Sequence, residues 1–84
     1  MAKKQEFKIN FYRDVNGSWA GTAYFINERS NKKYAISAAA APQDSAKIAK
    51  PYIKERLDKM SLDYLMFNPG YSRVNYDEYE NFKR

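Results

Sequence analysis

The chain has 84 residues with 15 basic and 10 acidic side chains, which gives a formal net charge of +5. It contains no Cys and no His, so disulfides, Ser-His-Asp and Cys-His catalytic systems, and zinc sites built from these ligands are excluded. Its glycines, at positions 17, 21 and 70, form no phosphate-binding loop. We therefore expect a non-enzymatic protein without a metal or a cofactor.

The chain length is that of one small domain, 1–84, with a flexible N-terminus over 1–5. No apolar run approaches the roughly 20 residues that a membrane span needs. The first residues, "MAKKQEFK", lack the apolar segment of a signal peptide. These features predict a soluble, cytoplasmic protein without membrane contact, and they leave the oligomeric state open.

Three strands are predicted in the first half of the chain. Residues 7–12, "FKINFY", alternate strictly between apolar and polar side chains, as a half-buried strand does. Residues 19–27, "WAGTAYFIN", and 33–39, "KYAISAA", are two further strand-like runs. Because their connections are short, we expect an antiparallel meander over 6–39.

The first hairpin has two possible turns. Residues 14–17, "DVNG", fit a type I turn closed by a G1 bulge, whereas Asn16-Gly17 alone fits a tight type I′ turn. The bulged turn pairs Phe11 with Gly21 and turns Trp19 and Phe25 toward the core. The tight turn leaves both of these rings in water, and we favour the bulged turn.

The bulged register makes further pairing predictions. It sets Ile9 opposite Ala23 and Phe7 opposite Phe25, so that large residues face small ones and a helix has room to pack. A four-residue loop before the third strand then places Ile36 beside Phe25 and Tyr34 beside Asn27.

A helix is predicted over 42–60. Its apolar positions are three or four residues apart, at Ala46, Ala49, Ile53, Leu57 and Met60. Pro42 suits the first helical turn, where no N–H is needed. Pro51 lies in the interior and removes the hydrogen bond to the carbonyl of Lys47, so we expect a kinked or broken helix.

The segment 61–84 is less regular. Ser61 could cap a short helix "LDYLMF", or the same residues could form a fourth strand. "NPGY", 68–71, is a turn. Asn75 and Glu78 have capping-box spacing and predict a C-terminal helix with Tyr76, Tyr79 and Phe82 on one side. We expect this segment to dock on the core, and a partner-binding tail is the alternative.

The predicted fold is α+β: a three-stranded antiparallel β-meander packed against one kinked α-helix (β3α), plus a short C-terminal helix or strand. In element order alone, residues 7–60 resemble the β3α domains with which some site-specific recombinases and plant transcription factors place a sheet in the major groove. The resemblance contains no diagnostic motif.

The sheet face away from the helix is the candidate binding surface. It carries Lys8, Asn10, Tyr12, Thr22 and Tyr24, with Ser37 beside Tyr24. Aromatic rings with nearby cations suit nucleic acid, because bases stack on rings while Lys or Arg holds phosphate. Lys47, Lys50 and Lys54 add a basic stripe on the helix. Solvated surfaces are the alternative interpretation of both features.

The leading hypothesis is a nucleic-acid-binding module for DNA or RNA. The alternative is a small inhibitor or adaptor, of the kind found in phages or mobile elements, that binds a host protein complex through aromatic surfaces. Under either hypothesis the candidate binding residues are Lys8, Asn10, Tyr12, Arg13, Tyr24, Arg29, Lys32, Lys33, Lys47, Lys50 and Lys54.

Overall fold

The computed structural model describes residues 7–83, with side chains described as far as residue 80. The elements in chain order are β1 (Asn10–Arg13), β2 (Trp19–Asn27), β3 (Lys32–Ala39), α1 (Ala46–Phe67), β4 (Tyr71–Val74) and α2 (Tyr76–Lys83). The predicted α+β fold, with an antiparallel sheet, one long helix and a short C-terminal helix, is confirmed. The N-terminus predicted to be flexible, 1–5, and the side chain of Phe82 lie outside the described residues. Within 7–83, no helix is both long and apolar enough to cross a membrane.

β2 is the central strand of the sheet. β3 pairs along one of its edges, from Ala20 to Asn27. β1 pairs with the first half of the other edge and β4 with the second half, both antiparallel. β1 and β4 therefore lie end to end beside β2. The backbone N–H of Lys8 donates to Asn75 Oδ1 at 2.9 Å and joins the two segments.

The bulged hairpin turn is confirmed. The N–H of Gly17 donates to the Asp14 carbonyl, and the N–H of Asp14 donates to the Ser18 carbonyl, both at 2.9 Å. Gly17 has φ +81°, the left-handed conformation that a G1 bulge requires. Asp14 Oδ1 accepts the N–H groups of Asn16 and Ser18 and holds the turn. Phe11 consequently pairs with Gly21, as predicted.

The predicted extent of the first strand is wrong. β1 begins at Asn10, so the expected pairs Ile9–Ala23 and Phe7–Phe25 do not form. β4, which the sequence pattern did not reveal, pairs with β2 from Tyr24 to Asn27 and occupies that edge instead. Ile9 still packs against the core beneath the sheet.

The predicted register of the third strand is also wrong by two residues. Ile36 pairs with Ala23, and Tyr34 pairs with Phe25. The loop closes one pair earlier than expected because Asn27 Oδ1 accepts the N–H groups of Arg29 and Ser30. A shift of two residues keeps every side chain on its predicted face.

α1 starts later and ends later than predicted, and it is one continuous helix. Pro42 lies in a turn closed by the N–H of Asp44 and the carbonyl of Ala41, ahead of the helix. The helix then runs from Ala46 to Phe67 without a break at Pro51. Packing against the sheet on both sides of Pro51 outweighs its cost of about 3 kcal/mol. Ser61 does not cap a second helix but donates to the Leu57 carbonyl inside α1.

The main core lies between α1 and the sheet. The side chains of Ile53 and Leu57 are fully buried against Ala23 and Phe25. β2 lies close to α1 at Gly21, because a Cβ placed there would lie 2.7 Å from Ile53 Cγ2. The predicted pairing of large with small residues therefore brings the helix near the strand.

α2 packs on the opposite face of the sheet. One of the two hydrogen bonds of the predicted capping box forms at its start: the N–H of Asn75 donates to Glu78 Oε2 at 3.4 Å. Tyr79 packs against a second buried cluster of Tyr24, Ile26 and Val74. One half of the outer face is thus covered, and the half near the β1–β2 hairpin is open.

Candidate nucleic-acid interface

Tyr24 is not available on the surface as the sequence suggested. Its ring lies 5.3 Å from the ring of Tyr76 and 4.6 Å from that of Tyr79, between centroids, and the residue is buried. Asn10 Nδ2 donates to its hydroxyl at 3.4 Å. The expectation of an exposed Tyr24 is wrong, because α2 returns over this part of the sheet. Ser37 pairs with Thr22 and not with Tyr24.

Tyr12 lies on the open half of the outer face. Its residue surface is 41% exposed. It borders a shallow depression of about 230 Å³ whose other lining residues are Asp14, Ala20, Ser37, Ala38 and Ala39. Small side chains therefore leave space directly beside an aromatic ring.

Cations gather around Trp19 at the same end of β2. The Arg13 guanidinium carbon lies 5.0 Å from the Trp19 ring centroid, and Lys50 Nζ lies 5.2 Å from it. Lys50 Nζ is also 5.4 Å from the ring of Phe11. Lys47 lies one helical turn before Lys50 and is exposed. None of the three cations forms an ion pair within 7–83.

The other predicted cations do not join this group. Lys8 Nζ lies 3.8 Å from Asp77 Oδ2, beside α2. Lys54 pairs with Asp58 at 2.9 Å. The loop cations Arg29, Lys32 and Lys33 lie at the far end of β2, whose nine residues span about 26 Å. The structure thus brings Tyr12, Arg13, Lys47 and Lys50 to one end of the sheet, with Tyr12 on the outer face and the three cations on the α1 side, and it separates the rest.

Asp58 links α1 to β4 through Arg73. Arg73 Nη1 donates to Asp58 Oδ1 at 2.8 Å. Burial alone would raise the pKa of the Asp58 carboxyl, but hydrogen bonds from Lys54 and Arg73 and their positive charges lower it below its ordinary value of 3.8. Asp58 therefore stays ionised and neutralises the charge of Lys54, so this lysine is not available to bind a phosphate.

A second aromatic surface lies at the far end of the sheet, on the α1 side. The rings of Tyr34 and Tyr64 stack with centroids 4.6 Å apart, and Tyr71 meets Tyr64 edge-on at 5.3 Å. Burial, followed by a hydrogen bond to Tyr71, raises the pKa of the Tyr64 hydroxyl above its ordinary value of 10.0. The Tyr64 hydroxyl is therefore neutral at physiological pH, and the three rings form an apolar surface with polar tips.

The floor of the depression and the role of Trp19 were not predicted from the sequence. The sequence feature that indicates the floor is the run of small residues in "AISAAAA", 35–41. Small side chains leave a depression beside an aromatic ring on a neighbouring strand. The signal for Trp19 is its pairing with Arg13 in the bulged register. Residues on paired positions share a face, so the cation lies beside the indole.

No group of acidic side chains within 7–83 is arranged to hold a metal ion. No protein-family model matches the sequence, and comparison with curated proteins and with solved structures finds no significant similarity. The resemblance to β3α domains therefore remains one of element order. The helix α2 over the outer face is a departure from an open three-stranded sheet.

Proposed function

We propose that this chain is a non-catalytic nucleic-acid-binding protein that takes single-stranded DNA or RNA at the hairpin end of the sheet. The observation that carries the proposal is the half-exposed Tyr12 ring beside the depression, at the same end of β2 as three cations that lie on the α1 side and form no ion pair within 7–83. Bases stack on such rings regardless of their identity, while cations follow the phosphates.

The depression suits a flat ring better than a long side chain. Ala20 and Ala39, which are paired across β2 and β3, form its floor, and Ser37 offers a hydroxyl at its margin. A base stacked on Tyr12 would lie over these small residues. The Asp14 carboxylate also borders the depression, but its Oδ1 already accepts two backbone N–H groups.

The open surface is too short for a duplex groove. α2 covers Tyr24 and Ile26, so only the half of the outer face around Tyr12 is open to a ligand. A single strand needs less space, because one or two unstacked bases suffice for contact. Arg13, Lys50 and Lys47 lie on the α1 side of the sheet around Trp19, so they would hold the flanking phosphates of a strand that passes from Tyr12 round the β1 edge.

We expect Tyr12→Ala to weaken binding of a fluorescent single-stranded 12-mer by about tenfold, the scale of one lost base–aromatic stack. Its slope of log affinity against log salt should stay that of the wild type. Arg13→Gln and Lys50→Gln should each reduce that slope by about 0.7, since each removes one phosphate contact from a single strand. Fluorescence anisotropy over a salt series, with DNA and RNA versions of the 12-mer, measures both quantities.

Tyr34→Ala is the matched control, because Tyr34 is 45% exposed and lies at the other end of the sheet. It should leave affinity unchanged. Absence of binding at low salt, binding without salt dependence, or equal losses from the two tyrosine variants would contradict the proposal.

The second candidate function is a small inhibitor or adaptor that binds a protein complex. It is favoured by the stacked Tyr34–Tyr64 pair with Tyr71, an aromatic surface on the other face and at the far end. Capture from a host lysate with and without nuclease separates the two functions. Partners lost after nuclease favour nucleic acid, and partners that persist and require Tyr34 favour the protein interface.

A further inference from the structure

The side of α1 that faces away from the sheet carries a regular stripe. Its members, spaced alternately four and three residues apart, are Ile48, Tyr52, Glu55, Lys59, Leu62 and Met66. This is the spacing of the a and d positions of a coiled coil. The residues of α1 buried against the sheet are a separate set, Ala49, Ile53, Leu57 and Ser61.

The stripe is exposed along its whole length. The relative exposures of its four apolar members range from 48% at Tyr52 to 73% at Met66. Glu55 and Lys59 are exposed as well, and neither takes part in an ion pair in the part of the chain that the structure describes. Five helical turns, about 27 Å, thus present two apolar ends and a charged centre.

The order of side chains in the stripe is symmetric about its centre. When a second copy of the helix is laid antiparallel, Ile48 meets Met66 and Tyr52 meets Leu62 of the other copy. In the same register Glu55 meets Lys59, and Lys59 meets Glu55. Both apolar contacts and both ion pairs form together, as a two-fold interface requires.

We propose that the stripe is the contact surface for a second copy of this chain, which forms an antiparallel α1–α1 dimer. Charge complementarity selects both the partner and its direction. A parallel pair would set Glu55 against Glu55 and Lys59 against Lys59, which is repulsive. The antiparallel pair cancels all four central charges.

The interface leaves the candidate nucleic-acid surface free. Tyr12 and its depression lie on the outer face of the sheet, and the α1 cations Lys47 and Lys50 are not members of the stripe. The dimer therefore does not rest on the proposed function, and loss of one leaves the other intact.

The test is a reciprocal charge swap followed by sedimentation equilibrium. The wild-type chain should pass from monomer to dimer as its concentration rises from about 10 µM to about 500 µM. Glu55→Lys sets four lysines at the centre, and Lys59→Glu sets four glutamates there. Each variant alone should dimerise at least about tenfold more weakly. An equimolar mixture should recover the dimer, because every central pair is again Lys with Glu.

Glu28→Lys and Lys32→Glu are the matched controls, since they make the same net-charge changes at exposed positions in the β2–β3 connection and on β3. Both should dimerise as the wild type does. Circular dichroism establishes that each variant is folded. A wild-type chain that stays monomeric at the highest concentration overturns the proposal. The stripe would then be a contact surface for a different protein or for nucleic acid. A dimer that tolerates the single swaps, or a mixture that forms no heterodimer, overturns it equally.

Discussion

Gly21→Ala should lower the free energy of unfolding by about 2 kcal/mol, because one added methyl group overpacks the core. The new Cβ would lie 2.7 Å from Ile53 Cγ2 and 2.8 Å from Ile9 Cγ2, with Leu57 Cδ1 at 3.4 Å. These two Cγ2 atoms sit on β-branched side chains, which have little rotamer freedom. The strand and α1 must therefore move apart.

Equilibrium unfolding in urea measures the effect, and Gly17→Ala is the matched control. Gly17 has φ +81° and no atom within 4 Å of an added Cβ, so only backbone strain of about 1 kcal/mol is expected there. The double variant Gly21→Ala, Ile53→Ala should lose less than the sum of its parts, because the new methyl group fills part of the cavity. Equal losses at Gly21 and Gly17 together with strict additivity would refute a steric cause.

Asp58→Ala should cost about 2–3 kcal/mol, because it leaves a buried guanidinium without its carboxylate. The Arg73 side chain is only 7% exposed, and its sole hydrogen bond within 7–83 goes to Asp58. Its Nε and Nη2 atoms are buried and have no hydrogen-bond partner there. The expected loss is at the low end for a buried pair, since the Asp58 side chain is itself 42% exposed.

Two variants separate this effect from a simple loss of charge. Lys54→Ala removes the exposed partner of Asp58 and should cost no more than about 0.5 kcal/mol. Arg73→Met together with Asp58→Ala removes both members of the buried pair and should recover much of the stability. Thermal and urea unfolding at neutral pH give these differences. An Asp58→Ala variant as stable as Lys54→Ala would show that Arg73 does not need its partner.

The same ion pair predicts how stability depends on pH. Because the folded-state pKa of Asp58 is lower than its ordinary value of 3.8, the unfolded chain binds this proton more readily. The contribution is therefore fully present above that ordinary value and is lost as the pH falls through the lower folded-state pKa. Asp58→Asn should flatten the decline in unfolding free energy over this acidic range. An unchanged profile would exclude Asp58 as its source.

Local patterns were sufficient to predict the hairpin and the buried face of α1. The turn follows from two residues. The Asp14 side chain accepts N–H groups of the turn, and Gly17 has the backbone freedom that a positive φ requires. Ala49, Ile53 and Leu57 follow from helical spacing, which is the same before and after packing. Such features depend only on neighbours within a few residues, so they can be predicted from a single sequence.

The remaining features depend on contacts between distant segments. β4 has only four residues, too few for alternation to reveal it, and its pairing with β2 displaced the expected continuation of β1. The β2–β3 register depends on one side chain, Asn27, that closes the loop early. Continuity of α1 through Pro51 reflects burial on both sides, which local propensity does not include.

The candidate site was predictable to a similar degree. Alternation in β1 predicts that Tyr12 points away from α1, and the bulged register predicts the pairing of Arg13 with Trp19. The burial of Tyr24 depends on the position that α2 takes after β4. The residue spacing within β4 or α2 does not predict that position. The separation of Arg29 and Lys32 from Arg13 follows from the length of β2.

The end-to-end arrangement of β1 and β4 has a consequence for synthesis on the ribosome. The edge of β2 from Tyr24 to Asn27 gains its partner only when Tyr71–Val74 emerge, more than forty residues later in the chain. Until then the nascent chain exposes an unpaired backbone edge, the kind of surface that recruits other strands. Arrest of translation before residue 71 should therefore leave a species that is prone to aggregation, although its hairpin and most of α1 have already been made.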